Sequence, residues 1–93
     1  KETDEKKELF IFPNPVKPNY DGYIAIKGML NNSIVKITDA SGNIVFETTS
    51  YGGQAIWNQL NTDGKKVGAG IYYVYTTDKE GKTKNTGRIA IVR

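Results

Sequence analysis

Between Asp39 and Tyr75 the chain reads D-A-S-G-N-I-V, then G-G-Q-A-I-W-N, then D-G-K-K-V-G-A-G-I-Y-Y-V-Y. Short β-branched and aromatic runs broken by glycine-marked turns predict three strands here. Val, Ile and Tyr suit a pleated, half-buried surface, while Gly and Asp suit the tight reversals between strands. The pattern commits nearly every apolar residue to an all-β core and leaves few to line a catalytic cleft.

The same reading extends to both ends. Lys1–Glu8 is polar and of mixed charge, without apolar periodicity, and reads as a charged linker (residues 1–8) ahead of a domain at residues 9–93. Leu9–Phe12 is a short strand closed by Pro13, Pro15 and Pro18, which cannot donate to a ladder. That segment is therefore a sheet edge or a crossing between sheets, and strand edges beside it are open to pairing between molecules. Tyr23–Lys27 follows, then Ile34–Asp39, where Val35 and Ile37 alternate with Lys36. Ala40-Ser41-Gly42-Asn43 turns the chain into Ile44–Thr49, and Gln54–Asn58 comes after Gly52-Gly53. Gln59–Gly70 reads as loop, Ile71–Thr77 as a strand, and Arg88–Val92 as the last strand. Seven strands at spacings near ten residues, with no helical pattern, predict a seven-stranded antiparallel immunoglobulin-like β-sandwich.

Side-chain alternation then selects a core. Ile24, Ile26, Val35, Ile37, Tyr72, Val74, Ile89 and Ile91 fall on inward positions, with Trp57 filling the space that Ala55 leaves. Tyr73 and Tyr75 fall on the opposite face of their strand, as cross-strand packing or as aromatics that dock a neighbouring domain. Trp57 has a second reading, as a stacking platform for a sugar or an anchor at an interface.

Composition narrows the chemistry. The chain of 93 residues has no cysteine and no histidine, so it lacks disulfides, Cys-based zinc sites and the commonest general base. Its net charge of +3 conceals a first octet with three lysines against four acids. The aromatics lie within strand patterns and not among clustered Arg and Lys, which argues against nucleic acid. No apolar run reaches the ~18 residues of a membrane span and no signal-peptide pattern opens the chain. The abrupt charged start suggests a piece of a longer protein.

Ser33, Ser41 and Ser50 lie in turns without an activating base, and Asp39, Asp63 and Asp78 stand where turns favour aspartate. A calcium site using Asp39, Asp63 or Asn58 is conceivable, but the spacing of a calcium loop is missing. No phosphate-binding glycine motif is present, so no cofactor is expected. Asn31-Asn32-Ser33 has the form of a glycosylation sequon.

Three strings carry a family resemblance. Phe12-Pro13-Asn14-Pro15-Val16 resembles the F/Y-P-N-P-V opening of C-terminal domains that direct Bacteroidetes proteins through type IX secretion. Val35-Lys36-Ile37-Thr38-Asp39, followed by Ser41-Gly42-Asn43 and Val45, is similar to their V-x-I-x-D-x-x-G-x-x-V strand pair. Gly70-Ile71-Tyr72-Tyr73-Val74 matches their G-I/V-Y-x-V motif. The resemblance implies a non-enzymatic sorting domain, recognised by secretion-machinery or sortase-like proteins. In ordinary cargo it is cleaved as the protein is attached to anionic lipopolysaccharide.

Gly53–Asn58 with Asp63–Val67 looks more like flagellar-hook-cap-like immunoglobulin domains and the C-terminal domain of PorZ-type proteins. Gly28–Asp39 fits that subtype as well. It implies a retained domain after upstream β-propellers, in a protein exported to the outer-membrane surface or periplasm. Lys82, Lys84, Arg88 and Arg93 would then meet an acidic groove or lipopolysaccharide phosphates. Two other readings stand beside this one. A glycan-binding appendage would use Trp57 or the Tyr73/Tyr75 pair, and a structural spacer would use neither.

Overall fold

The computed structural model describes residues 9–93, so the charged linker expected at 1–8 lies outside the described residues. Seven strands form in the order β1 (Phe10–Phe12), β2 (Ile24–Lys27), β3 (Ile34–Thr38), β4 (Ile44–Thr49), β5 (Gln54–Trp57), β6 (Gly70–Thr77) and β7 (Lys84–Ile91). They build a three-stranded sheet, β1-β2-β5, and a four-stranded sheet, β4-β3-β6-β7, with antiparallel neighbours throughout. The result is an immunoglobulin-like β-sandwich, with no helix among the described residues.

β7 starts at Lys84 and not at Arg88, because Lys84 to Ile91 pair along the whole of β6. The polar run of Asn85 and Thr86 hid its first half.

Alternation along each strand creates the core. Ile24, Ile26, Val35, Ile37, Trp57, Tyr72, Val74, Ile89 and Ile91 are all buried, joined by Val16, Met29, Ala55 and Val67. In β4 one extra residue, Val45, separates the partners of Ile37 and Thr38, which keeps Phe46 opposite Ile37. Phe46 stacks on Trp57 at 6.2 Å between ring centroids, and Tyr72 meets the indole edge-on at 5.8 Å. Trp57 is fully buried and its Nε1–H donates to the Leu60 carbonyl at 2.9 Å. It is therefore a core residue and not a sugar platform.

The proline-rich segment is the crossing between sheets. β1 belongs to the small sheet, yet Val16 lies parallel to β7, donating to Ala90 O and accepting from Val92 N. Asn14 completes the seam with its side chain, giving Nδ2–H to Arg88 O at 2.8 Å and accepting from Ala90 N at 3.0 Å. One amide thus stands in for a strand residue between two prolines that cannot donate. The β7 edge beside Pro13–Pro18, read from sequence as open to another molecule, is closed over Arg88–Val92. Above it β1 packs so tightly on Gly87 that an added Cβ would sit 2.8 Å from Ile11 Cδ1.

The turns carry the aspartates. Asp39 Oδ1 accepts from Asn43 N at 2.9 Å and Ser41 N at 3.0 Å, holding the reversal where Gly42 takes φ 93. Those bonds, led by Asn43, hold the Asp39 carboxyl below its ordinary range, and Lys66 does the same for Asp21. At Asp78 desolvation pushes upward but is outweighed by bonds from Thr83, Lys82 and Gly81, so the net shift is again downward. Carboxyls depressed in the folded state add stability that is present above the unfolded value of ~3.9 and is lost as pH falls through the folded value. Melting temperature is thus expected to be flat from about pH 5 upward and to fall below about pH 4. Asp39→Asn should make that acid slope shallower.

Candidate docking surface

The four cations marked for recognition are not gathered into one patch. Lys82 sits in the β6–β7 turn with its Nζ 3.9 Å from Glu80, and Lys84 opens β7 opposite Thr77. Arg88 stands in mid-strand opposite Tyr73. Lys84 and Arg93 are nine residues apart, roughly 30 Å along an extended chain. Arg93 is also occupied, its Nη2 donating to Val67 O at 2.9 Å and Gln59 Oε1 at 3.2 Å. It is a latch within the domain, and Arg88 is left as the cation at the centre of the β6–β7 face.

Antiparallel pairing builds a surface around it. Tyr73 and Tyr75 project from the outer face of β6, because Tyr72 and Val74 point into the core. Their partners on β7 are Arg88 and Thr86, and on β3 they are Thr38 and Lys36. The outer face therefore carries the row Lys36–Tyr75–Thr86 across three strands, with Tyr73 and Arg88 beside it, while Thr38 of the second row is buried. Tyr73, Tyr75, Thr86, Gly87 and Arg88 line an open depression of about 480 Å³. Two phenols with a cation on either side, and the Thr86 hydroxyl beside them, suit an acidic partner with flat apolar groups. Lys36 was not among the cations singled out from sequence. The Val35/Ile37 alternation placed it outward, but only the β3–β6 pairing brings it beside Tyr75.

Of the oxygens considered for calcium, those of Asp39 and Asn58 are engaged in turns. Asp39 holds its own hairpin, and Asn58 Oδ1 accepts from Leu60 N at 3.1 Å. Asn61 Oδ1 takes the backbone N–H groups of Asp63 and Lys65. Among the described residues no cluster of three or more His, Cys, Asp or Glu side chains is placed to hold a metal.

The fold is an antiparallel sandwich with an aromatic core and an outward tyrosine–cation face. The chain belongs to the CHU_C type IX secretion signal domain family, whose model matches residues 10–91. Among solved structures it is similar to PorZ of Porphyromonas gingivalis, an essential surface component of the type IX secretion system. There the identity is 35% and the TM-score 0.80, over 91% of this chain and 11% of the PorZ chain. Dimeric latent PorU of the same organism shares the fold, at 22% identity and TM-score 0.62, over 92% of this chain and 9% of that one. This chain thus spans about one ninth of the PorZ chain. The curated proteins contain no match to it. Family membership marks the parent as an exported protein of the type IX route.

Proposed function

We infer that the chain is the docking domain of a PorZ-like surface component, kept on its parent after export and without a catalytic centre of its own. The observation that carries this reading is the 35% identity to PorZ across 91% of the chain. The absence of histidine and cysteine from the sequence supports the non-catalytic part, since the usual bases and thiol nucleophiles are missing. The partner is a secretion-machinery or sortase-like protein that presents carboxylates to Arg88 and Lys36 and packs on Tyr73 and Tyr75. Anionic lipopolysaccharide, whose phosphates offer similar chemistry, is the other ligand to test against the same face.

Fusion of Lys1–Arg93 to a periplasmic reporter, in a bacterium with type IX secretion, tests retention. Reporter at the surface with the domain intact is the expected result. Surface reporter with the domain removed would make it a cleaved cargo signal. Arg88→Gln with Lys36→Gln should weaken partner capture roughly tenfold and flatten its salt dependence, as expected when two charge contacts are lost. Unchanged affinity in a pull-down titration would remove the face from recognition.

A further inference from the structure

The β7 edge of the four-stranded sheet is only half closed. Asn14 and Val16 take Arg88 O, Ala90 N, Ala90 O and Val92 N. In an antiparallel ladder successive residues turn their backbone groups to opposite sides, so these bonds place the even-numbered residues of β7 facing away from β6. The same alternation turns Lys84 N and O, Thr86 N and O, and Arg88 N toward the edge. Among the described residues none of these groups has a backbone partner.

Unpaired ladder groups at a strand pitch specify their ligand. Donors and acceptors two residues apart, roughly 7 Å, fit another extended backbone and fit neither a helix nor an isolated ion. Lys84 to Arg88 span about 13 Å, the length of a strand of about five residues. A residue opposite Thr86 in an added antiparallel strand exchanges both hydrogen bonds with it, and its side chain emerges on the outer face. Lys84 and Arg88 are then its diagonal neighbours, about 7–8 Å away and within reach of long side chains. Both are exposed, so a carboxylate at that position meets a cation on each side. The depression lined by Tyr73, Tyr75, Thr86, Gly87 and Arg88 lies beside it, which makes the edge continuous with the docking face. The opposite edge of the sheet, β4, offers no such site. The Val45 bulge interrupts its ladder, and exposed Glu47 repels a second acid.

We propose that the open part of β7, Lys84–Arg88, receives an extended acidic segment of a partner protein as an added antiparallel strand, its carboxylate held between Lys84 and Arg88. This inference rests on the Tyr73/Arg88 face being the docking face and states how the partner enters it. Main-chain bonds then supply affinity, and the carboxylate and the depression supply selectivity.

An acetylated five-residue peptide, Thr-Val-Glu-Val-Thr, titrated into Lys1–Arg93 and followed by the protein's amide resonances, tests it. Lys84, Thr86 and Arg88 should shift together with a Kd of about 1 mM. Methylating the glutamate nitrogen of the peptide removes one ladder donor and should weaken binding about tenfold, leaving the protein untouched. Lysine in place of the glutamate should do the same. Thr86→Pro removes an edge donor without breaking a bond to β6 and should abolish the shifts, with Trp57 emission verifying its fold. Equal binding by the methylated peptide, or shifts confined to β4, would overturn the proposal. So would equal shifts with inorganic phosphate, which would assign the cations to an anion alone. Slow hydrogen exchange at these amides before peptide is added would assign the edge to this chain itself, and overturn it too. The peptide does not reach Lys36, on the far side of β6. Failure of the peptide with the Arg88/Lys36 pull-down effect intact would therefore overturn strand addition alone, and failure of both would remove the face as well.

Discussion

Trp57→Ala is expected to lower stability by about 3–5 kcal/mol, read as a shift of the urea midpoint by far-ultraviolet circular dichroism. The indole is fully buried between Phe46 of the four-stranded sheet and its own strand, with Tyr72 edge-on. Truncation would empty the middle of the sandwich and leave the Leu60 carbonyl without the indole N–H. A domain of 93 residues has about 5–10 kcal/mol in total, so the variant should lose roughly half of its stability. Trp57→Phe keeps the ring packing and should cost less than half as much. A loss below about 1 kcal/mol for the alanine variant would mean that the core is not centred on this residue.

Gln59→Ala is the second large effect, expected at about 2–3 kcal/mol. Gln59 is fully buried, and its side chain joins three segments remote in sequence. Its Nε2–H donates to Gly22 O at 2.9 Å, before β2, while its Oε1 accepts from Arg93. Arg93 also holds Val67 O, and the Val67 N–H donates to Gln59 O at 3.0 Å. Removing the amide leaves the half-buried Gly22 carbonyl without its donor and the Arg93 guanidinium without one acceptor, and empties a fully buried site. Arg93→Ala should cost about 1–2 kcal/mol, and the double variant less than the sum by at least ~0.5 kcal/mol. Strict additivity in the urea midpoints would show that the two side chains act separately.

These two sites separate what local patterning encodes from what tertiary contact decides. The strands were readable because a half-buried strand must alternate. Val35-Lys36-Ile37 and Tyr72-Tyr73-Val74-Tyr75 each state which side faces the core, and Gly42 and Gly52-Gly53 state where the chain reverses. The proline-rich segment could be recognised as an edge or a crossing from its missing donors alone. Its resolution into a crossing depends on Asn14 meeting Arg88 and Ala90, more than seventy residues away.

The docking surface was readable only in halves. Tyr73 and Tyr75 follow from alternation, but Lys36 joins them through strand pairing. Arg93 reads from sequence as one more cation for recognition, whereas the loop from Gln59 to Val67 folds back to receive it. Sequence distance carries no information about which exposed charge finds a carbonyl. The open half of the β7 edge was hidden for a different reason, since the polar run of Asn85 and Thr86 does not read as strand.

The most direct test of the central claim is peptide mapping of the parent protein recovered from the cell surface. Retention predicts that peptides from Gly68–Arg93 appear in equal amount with peptides from the upstream part of the same polypeptide. A surface pool whose sequence ends before Leu9, with the sandwich lost or free in the medium, would contradict retention and place the chain among cleaved export signals.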